Sequence, residues 1–330
     1  MNGTTLLRGA GLLLTAAVAW GGLFPVAMLT LPVLDAFHLT AIRYGITAAI
    51  FLALLAFTEG RGALSFEGRG VRLAWLGSAG FGGLGLTVFV GLQYSRPEHG
   101  AIIMATQPLI AAVVAWFLRG VRPPRATLAF LGIALGGVLL VVTKGHLTGV
   151  FERGTGFGDL LMLVGAVSWV MYTLGAGDFP AWSPLRFTTL TCVLSLPAIF
   201  GLTALATATG YVSTPSVADV ESVGWQLAYV VGIASVLGVL SWNAGNKLLG
   251  TTNGVLFINF VPVTVFAIRI AEGYRFQTIE IAGALLVIGA LIANNIVARR
   301  AAARSQQDRG NAGKLVLALN SGAVKAQGCG

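Results

Sequence analysis

Ten stretches of this chain run for fifteen residues or more without an aspartate, glutamate, lysine or arginine: 9–34, 44–58, 73–95, 99–118, 126–143, 160–177, 187–218, 222–246, 248–268 and 281–298. A helix that crosses the hydrocarbon core of a bilayer needs roughly 17–25 mostly apolar residues, and nine of the windows have that length. The short one, 44–58, reaches it if Arg43 is drawn in from its edge and its charged end snorkels to the surface. With 56% hydrophobic and 10% charged residues and a mean hydropathy of +0.83, the chain has too little polar surface to cover a water-soluble core. The expected fold is therefore an all-α integral membrane protein with ten transmembrane helices.

A net charge of +9 ordinarily suggests nucleic acid, but here the placement of the charges accounts for it. Basic residues favour cytoplasmic loops. With the amino end inside, Arg8, Arg61, Arg69, Arg72, Arg119, Arg122, Arg125, Arg186, Lys247 and the basic residues from Arg299 onward all fall on one side. The expected partner is the lipid bilayer and not nucleic acid, with both termini cytoplasmic. A cleaved leader is disfavoured, because no small-x-small site follows the first apolar run. Cys192 and Cys329 have neither disulfide nor metal spacing.

The windows are not independent. Gly100 precedes Pro108 by eight residues, and Gly254 precedes Pro262 by eight, an offset of 154 positions. The same offset aligns Leu73-Ala74-Trp75 with Leu227-Ala228-Tyr229, while Ala17 to Trp20 echoes Ala166 to Trp169 and Arg43-Tyr44 echoes Arg186-Phe187. The predicted organisation is a first repeat over 1–143, an inter-repeat loop at 144–158, a second repeat over 159–298 and a basic tail over 299–330. Five spans per repeat is an odd number, so the copies must enter the membrane from opposite sides. Secondary transporters commonly use that arrangement to build two exchangeable conformations around a midplane site.

A solute leaving water must find polar or aromatic partners inside the bundle. Trp242, Asn243 and Asn246 share one helical face by their spacing. Trp20 and Trp169 occupy equivalent places in the repeats, with Tyr172 one turn beyond the second. Gln107 and Asn259 supply amides beside Pro108 and Pro262, which with Pro25 are the expected helix kinks. Each has a plainer reading: belt residue, core packing, helix-helix glue or repair of a kinked backbone. Arg43, Arg186 and Arg269 stand at window edges and are expected to snorkel and set topology.

Some features argue by exclusion. Gly80-Phe81-Gly82-Gly83-Leu84-Gly85 satisfies a dinucleotide fingerprint literally, yet it follows no strand and lies mid-membrane, where glycines let helices approach. No window holds a mid-depth carboxylate, so coupling to protons or sodium through a buried acid lacks support. There is no phosphate-binding loop for nucleotide. His38, His99 and His146 have no metal spacing. Neither a cofactor, a metal nor enzymatic chemistry is expected. Gly132 and Gly136 at small-xxx-small spacing offer a packing face for a neighbour or a second subunit, so a monomer or weak homodimer is expected.

The segments LQYSRPEHGAIIMATQP with the RGVRPP turn after it, and KLLGTTNGVLFINFVP with Glu272 after it, resemble the two EamA-type halves of the drug/metabolite transporter superfamily. The resemblance covers roughly residues 8–298. It implies a five-plus-five architecture and a transport role, and within the superfamily the chain most resembles the ten-span YddG-type exporters of amino acids. Where the family often closes the fourth span with an acidic residue, Leu118 stands in this chain. The function expected is export of small organic metabolites, amino acids (aromatic or other neutral) being the favoured class, across a bacterial inner membrane. Export of drugs or other metabolites is the alternative, and a membrane enzyme or channel a remote one.

Overall fold

A computed structural model describes residues 3–120, 122–144, 155–250 and 254–297. The basic tail, residues 145–154 of the inter-repeat loop with His146, and Cys329 lie outside the described residues. Those described are helical throughout, with no strand among them. In chain order the helices are α1 (Gly3–Thr30), α2 (Ala36–Thr58), α3 (Gly70–Tyr94), α4 (Pro97–Ala105), α5 (Gln107–Arg119), α6 (Arg125–Thr143), α7 (Thr155–Ala176), α8 (Pro184–Ala208), the short α9 (Val217–Ser222), α10 (Gly224–Leu249), α11 (Phe260–Ala271) and α12 (Thr278–Val297).

Eight of these are long and apolar enough to cross a membrane alone, and α4 with α5 makes a ninth span bent by 50°. The window 248–268 was expected to give one long helix. Instead it yields a 3₁₀ turn, Val255–Asn259, followed by the 12-residue α11. The bend at Thr106 and the change of helix type at Phe260 are again 154 positions apart, each two residues before its proline. Proline lacks the N–H that would continue the ladder and crowds the carbonyl four residues earlier, so both copies break there. Pro25 behaves differently: α1 continues through it to Thr30, where, without water to compete, the remaining backbone bonds hold the helix together.

Large apolar side chains such as Leu14, Val18, Ile46, Leu139 and Leu285 stay exposed, as a lipid-facing surface requires. The two most extensive interhelix contacts are α3 on α7 and α1 on α10, and they are copies of each other. A Cβ on Gly91 would lie 2.6 Å from the Gly158 carbonyl oxygen, and one on Gly245 would lie 3.1 Å from the Gly9 carbonyl oxygen. Gly245 is the 154-offset mate of Gly91, and Gly9 and Gly158 are spaced like Ala17 and Ala166. Only a residue without a side chain lets the backbones meet this closely. α2 packs along α8 between these two pairs. On α6 a Cβ on Gly132 or Gly136 would meet nothing within 4 Å among the described residues, whereas one on Gly137 would lie 2.7 Å from the Gly283 carbonyl oxygen of α12. The small-residue face is thus unused inside the chain, and the close approach is one residue further on.

A second repeated device left no expectation in the sequence. Both α3 and α10 widen to π geometry, over Ser78–Gly83 and Tyr229–Leu237 respectively. The glycine-rich run lies in the first of these, and the Tyr172 ring fills the space a Cβ on Gly80 would need, at 2.5 Å. Single-turn π segments concentrate at functional sites, and these two flank the centre of the bundle.

Candidate functional site

Trp20 of α1, Trp169 of α7 and Trp242 of α10 form a connected aromatic layer. The rings of Trp20 and Trp169 meet edge to face at 5.9 Å between centroids, and those of Trp20 and Trp242 at 5.2 Å. Phe81 and Tyr172 extend the layer, 5.2 Å apart. Trp20 is fixed by its indole N–H, which donates to the Ala234 carbonyl at 3.0 Å. That carbonyl belongs to the π segment of α10, and widening the turn points it away from the helix ladder.

On one side of this layer opens a vestibule of about 780 Å³ between α7, α8 and α10. Tyr172, Trp169, Trp242, Asn243 and Asn246 line it, with Lys247 at its edge. The Asn243 amide donates to the Thr188 hydroxyl at 2.7 Å, and the Asn246 amide donates to the Trp242 carbonyl at 2.9 Å. The Asn246 side-chain oxygen is buried without a partner and faces Gly254. The loops around 59–69 and 177–183 frame this end, held by Arg72–Asp178 at 2.6 Å and Arg186–Glu67 at 2.7 Å. Glu67's carboxyl is pulled below its ordinary value, first by the hydrogen bond from Arg186 and then by that from Trp182.

On the other side lies a smaller cavity of about 70 Å³, lined by Trp20, Trp169, Phe89, Met104, Gln107 and Arg43 among others. Gln107 places its amide 3.2 Å from the Met104 sulfur and so does not repair the backbone before Pro108. Arg43 overturns the expectation that it snorkels. It is 4% exposed, its Nε donates to the Ser235 hydroxyl at 2.6 Å, and its guanidinium lies 4.7 Å from the Tyr44 ring centroid and 5.5 Å from that of Phe89. The reason is where α2 begins. Asp35 caps it, accepting from the Phe37 and His38 amides at 2.8 and 3.1 Å, so Arg43 lies two turns inside. Arg186 is at the first turn of α8, and the two arginines that look alike in sequence sit at different depths. The missed signal was the shortness of window 44–58: a span begun at Asp35 contains Arg43 outright.

Beyond the cavity the far end of the bundle carries paired charges, beside a pocket of about 370 Å³ lined by Pro25, Met28, Arg96, Arg269 and Tyr274 among others. Glu98, wholly buried, pairs with Arg269 at 3.3 Å, and Arg269 also reaches Glu272 at 2.6 Å. Arg269 therefore serves as a clasp, not a snorkelling anchor. Glu280, wholly buried, pairs with Lys144 at 3.2 Å and accepts from the Tyr274 hydroxyl at 2.9 Å. His99 Nδ1 lies 3.2 Å from an Asp159 oxygen and 3.2 Å from the Ser95 hydroxyl, which itself donates to Asp159. These carboxylates stand at the starts of α4, α7 and α12. The apolar windows exclude acids by definition, and the acids just outside them, Glu98, Asp159 and Glu280, are buried.

Of the sequence-chosen residues, the structure gathers Trp20, Gln107 and Trp169 at the inner cavity and Trp169, Tyr172, Trp242, Asn243 and Asn246 at the vestibule. Asn259 lines neither, although it is buried and its side-chain oxygen has no partner. Arg43, Ser235 and Met104 were missed. Among the described residues no group of three or more His, Cys, Asp or Glu is placed to hold a metal ion.

This geometry has relatives. The chain is 35% identical over 299 residues to the uncharacterized transporter YrdR of Bacillus subtilis (strain 168), covering 89% of this chain and 93% of that one. It is 32% identical to the uncharacterized transporter YyaM of the same organism, over 87% and 93% of the two chains. A protein of known crystal structure superposes with a TM-score of 0.61 at 22% identity, over 91% of this chain and 99% of that one, a likeness of fold. The model of the EamA-like transporter family matches residues 7–143 and again 156–296. Two matched copies, spanning helices and relatives of this identity together place this multi-pass membrane protein in the EamA-like transporter family.

Proposed function

We propose that the protein exports small organic metabolites by alternating access, with amino acids, aromatic or otherwise neutral, as the substrate class. One observation carries the reading. The Trp20 and Trp169 rings line the inner cavity and the Trp169 and Trp242 rings line the vestibule, so an aromatic layer stands between the two, while towards the other end of the bundle Arg269 pairs with the buried Glu98. A site screened by rings towards one end and by ion pairs towards the other suits one half of an alternating cycle. In this reading, which the bias of basic residues supports, the vestibule opens to the cytoplasmic face of a bacterial inner membrane, both termini lie on that face, and an exported solute loads from the vestibule. The chain works as a monomer or a weak homodimer. Sequence similarity to YddG-type exporters supports amino acids. Export of permanently cationic drugs fits less well, because Arg43 repels a cation from the cavity.

Counterflow tests this reading. Purified protein in liposomes loaded with unlabelled amino acids is expected to accumulate external labelled amino acid transiently without nucleotide. A pore gives no trans-stimulation, and absence of exchange across a broad amino-acid panel in vesicles holding folded protein would overturn the amino-acid assignment.

A further inference from the structure

We propose that Arg43 is an anion anchor, and that the solute held in the inner cavity is a carboxylate with an apolar body whose amino group is dispensable for binding. The inference rests on the transport reading above and deepens it by naming the chemistry of the subsite.

The argument begins from what surrounds the charge. Arginine keeps its proton under all ordinary conditions, and burying such a charge without a counter-ion is strongly unfavourable. Lys144, Arg186 and Arg269 each have a carboxylate partner. Among the described residues Arg43 has none, and its hydrogen bond is to the neutral Ser235 hydroxyl. Ring faces supply part of what is missing: Tyr44 and Phe89 flank the guanidinium, and a cation over an aromatic face is attracted by the ring quadrupole. That falls short of replacing a buried ion pair, and the charge remains available to an anion arriving through the cavity it lines.

The arginine is also oriented. Ser235 donates to the Val230 carbonyl at 2.8 Å across the π segment of α10 and accepts from Arg43 Nε. Fixing Nε leaves the terminal nitrogens to present a planar fork, the geometry that takes a carboxylate on two parallel bonds. Apart from this fork the cavity offers one amide, Gln107, and otherwise apolar and aromatic walls.

Those walls decide the class. A phosphate monoester brings nearly two negative charges to one fixed cation, and the second would stay uncompensated. An amine would be repelled. A carboxylate balances Arg43 one for one, and its apolar remainder lies against Trp20, Trp169 and Phe89. No acid lines the cavity to receive an ammonium group, so an α-amino group adds little to affinity.

The test is binding to the full-length protein in detergent, read by quenching of tryptophan fluorescence, since Trp20 and Trp169 line the site. The probes are 3-phenylpropionate, L-phenylalanine, phenethylamine and phenyl phosphate. Both carboxylates are expected to quench saturably at similar midpoints, the amine not at all and the phosphate more weakly. Arg43→Gln is expected to weaken both carboxylates at least about tenfold, equivalent to ~1.4 kcal/mol, and Arg43→Lys to recover part of the loss. Ser235→Ala keeps the charge but loosens its fork and is expected to weaken binding severalfold. It and the four-probe comparison on the native protein decide the matter if Arg43→Gln does not purify as a folded species. The proposal is overturned if the amine or the phosphate matches the acids, if Arg43→Gln binds them normally, or if no carboxylate binds. Acid-selective binding without counterflow would sink the transport reading and leave the anchor standing. Counterflow with unselective binding would do the reverse.

Discussion

The two ends of the bundle are closed by different chemistry. At the vestibule end the barrier between water and the inner cavity is a layer of indole rings, and the surrounding ion pairs, Arg72–Asp178 and Arg186–Glu67, are partly solvated. At the far end the barrier is ionic, with Glu98 and Glu280 wholly withdrawn from solvent beneath Arg269 and Lys144. Aromatic contacts are weak singly and part by small rotations. A desolvated ion pair holds until both partners are rehydrated. If the proposed alternating cycle operates, the comparison implies that opening the far end is the step with the larger local barrier.

The sharpest challenge to this comparison is Arg269→Gln, which leaves Glu98 buried without its cation. Breaking a buried pair on one side costs about 3–5 kcal/mol, so the far end is expected to loosen. A cysteine placed at Met28, beside that clasp, should then react faster with an impermeant maleimide, and an unchanged rate would refute the ionic seal. Next comes Trp169→Ala, which removes the ring shared by both cavities. A loss of about 3 kcal/mol in stability is expected together with a raised KM for transport, and a normal KM would exclude the aromatic layer from substrate contact. Asn243→Ala deletes the 2.7 Å bond to Thr188 at the vestibule wall; about 1 kcal/mol is expected by thermal unfolding, with transport retained. The smallest effect is titration of Glu67. Its carboxyl is depressed in the folded state from an ordinary 4.5, so its contribution is present above that value and fades as pH falls through the folded one. Glu67→Gln should flatten only that acid limb of the melting profile.

Much of the architecture was legible because lipid imposes simple rules. Charge-free windows found the spans, and the 154-residue offset found the repeat, down to the matched breaks before Pro108 and Pro262. Trp20 and Trp169 were legible for the same reason: duplication put them in equivalent places, and symmetry brought their rings together. Legibility failed where charge marked an edge. A window ends at the first ionisable residue whether that residue meets water or protein, so Arg43 reads as a snorkelling edge residue and nothing in the pattern marks Glu98 or Glu280 as buried. The π segments leave no compositional trace beyond small residues in the first copy. Without them neither the freed Ala234 carbonyl nor the placement of Ser235 could be anticipated.

The widened turns in α3 and α10 also fix rotational phase. Each places extra backbone before a crossing glycine, Gly91 in one helix and Gly245 in the other. Removing one residue from either run would turn everything downstream by about 100° around the helix axis. The glycine would swing off its partner's backbone and, in α10, Trp242 and Asn246 would leave the vestibule. A one-residue deletion that barely shortens the span would thus dismantle a helix crossing and a wall of the solute path together.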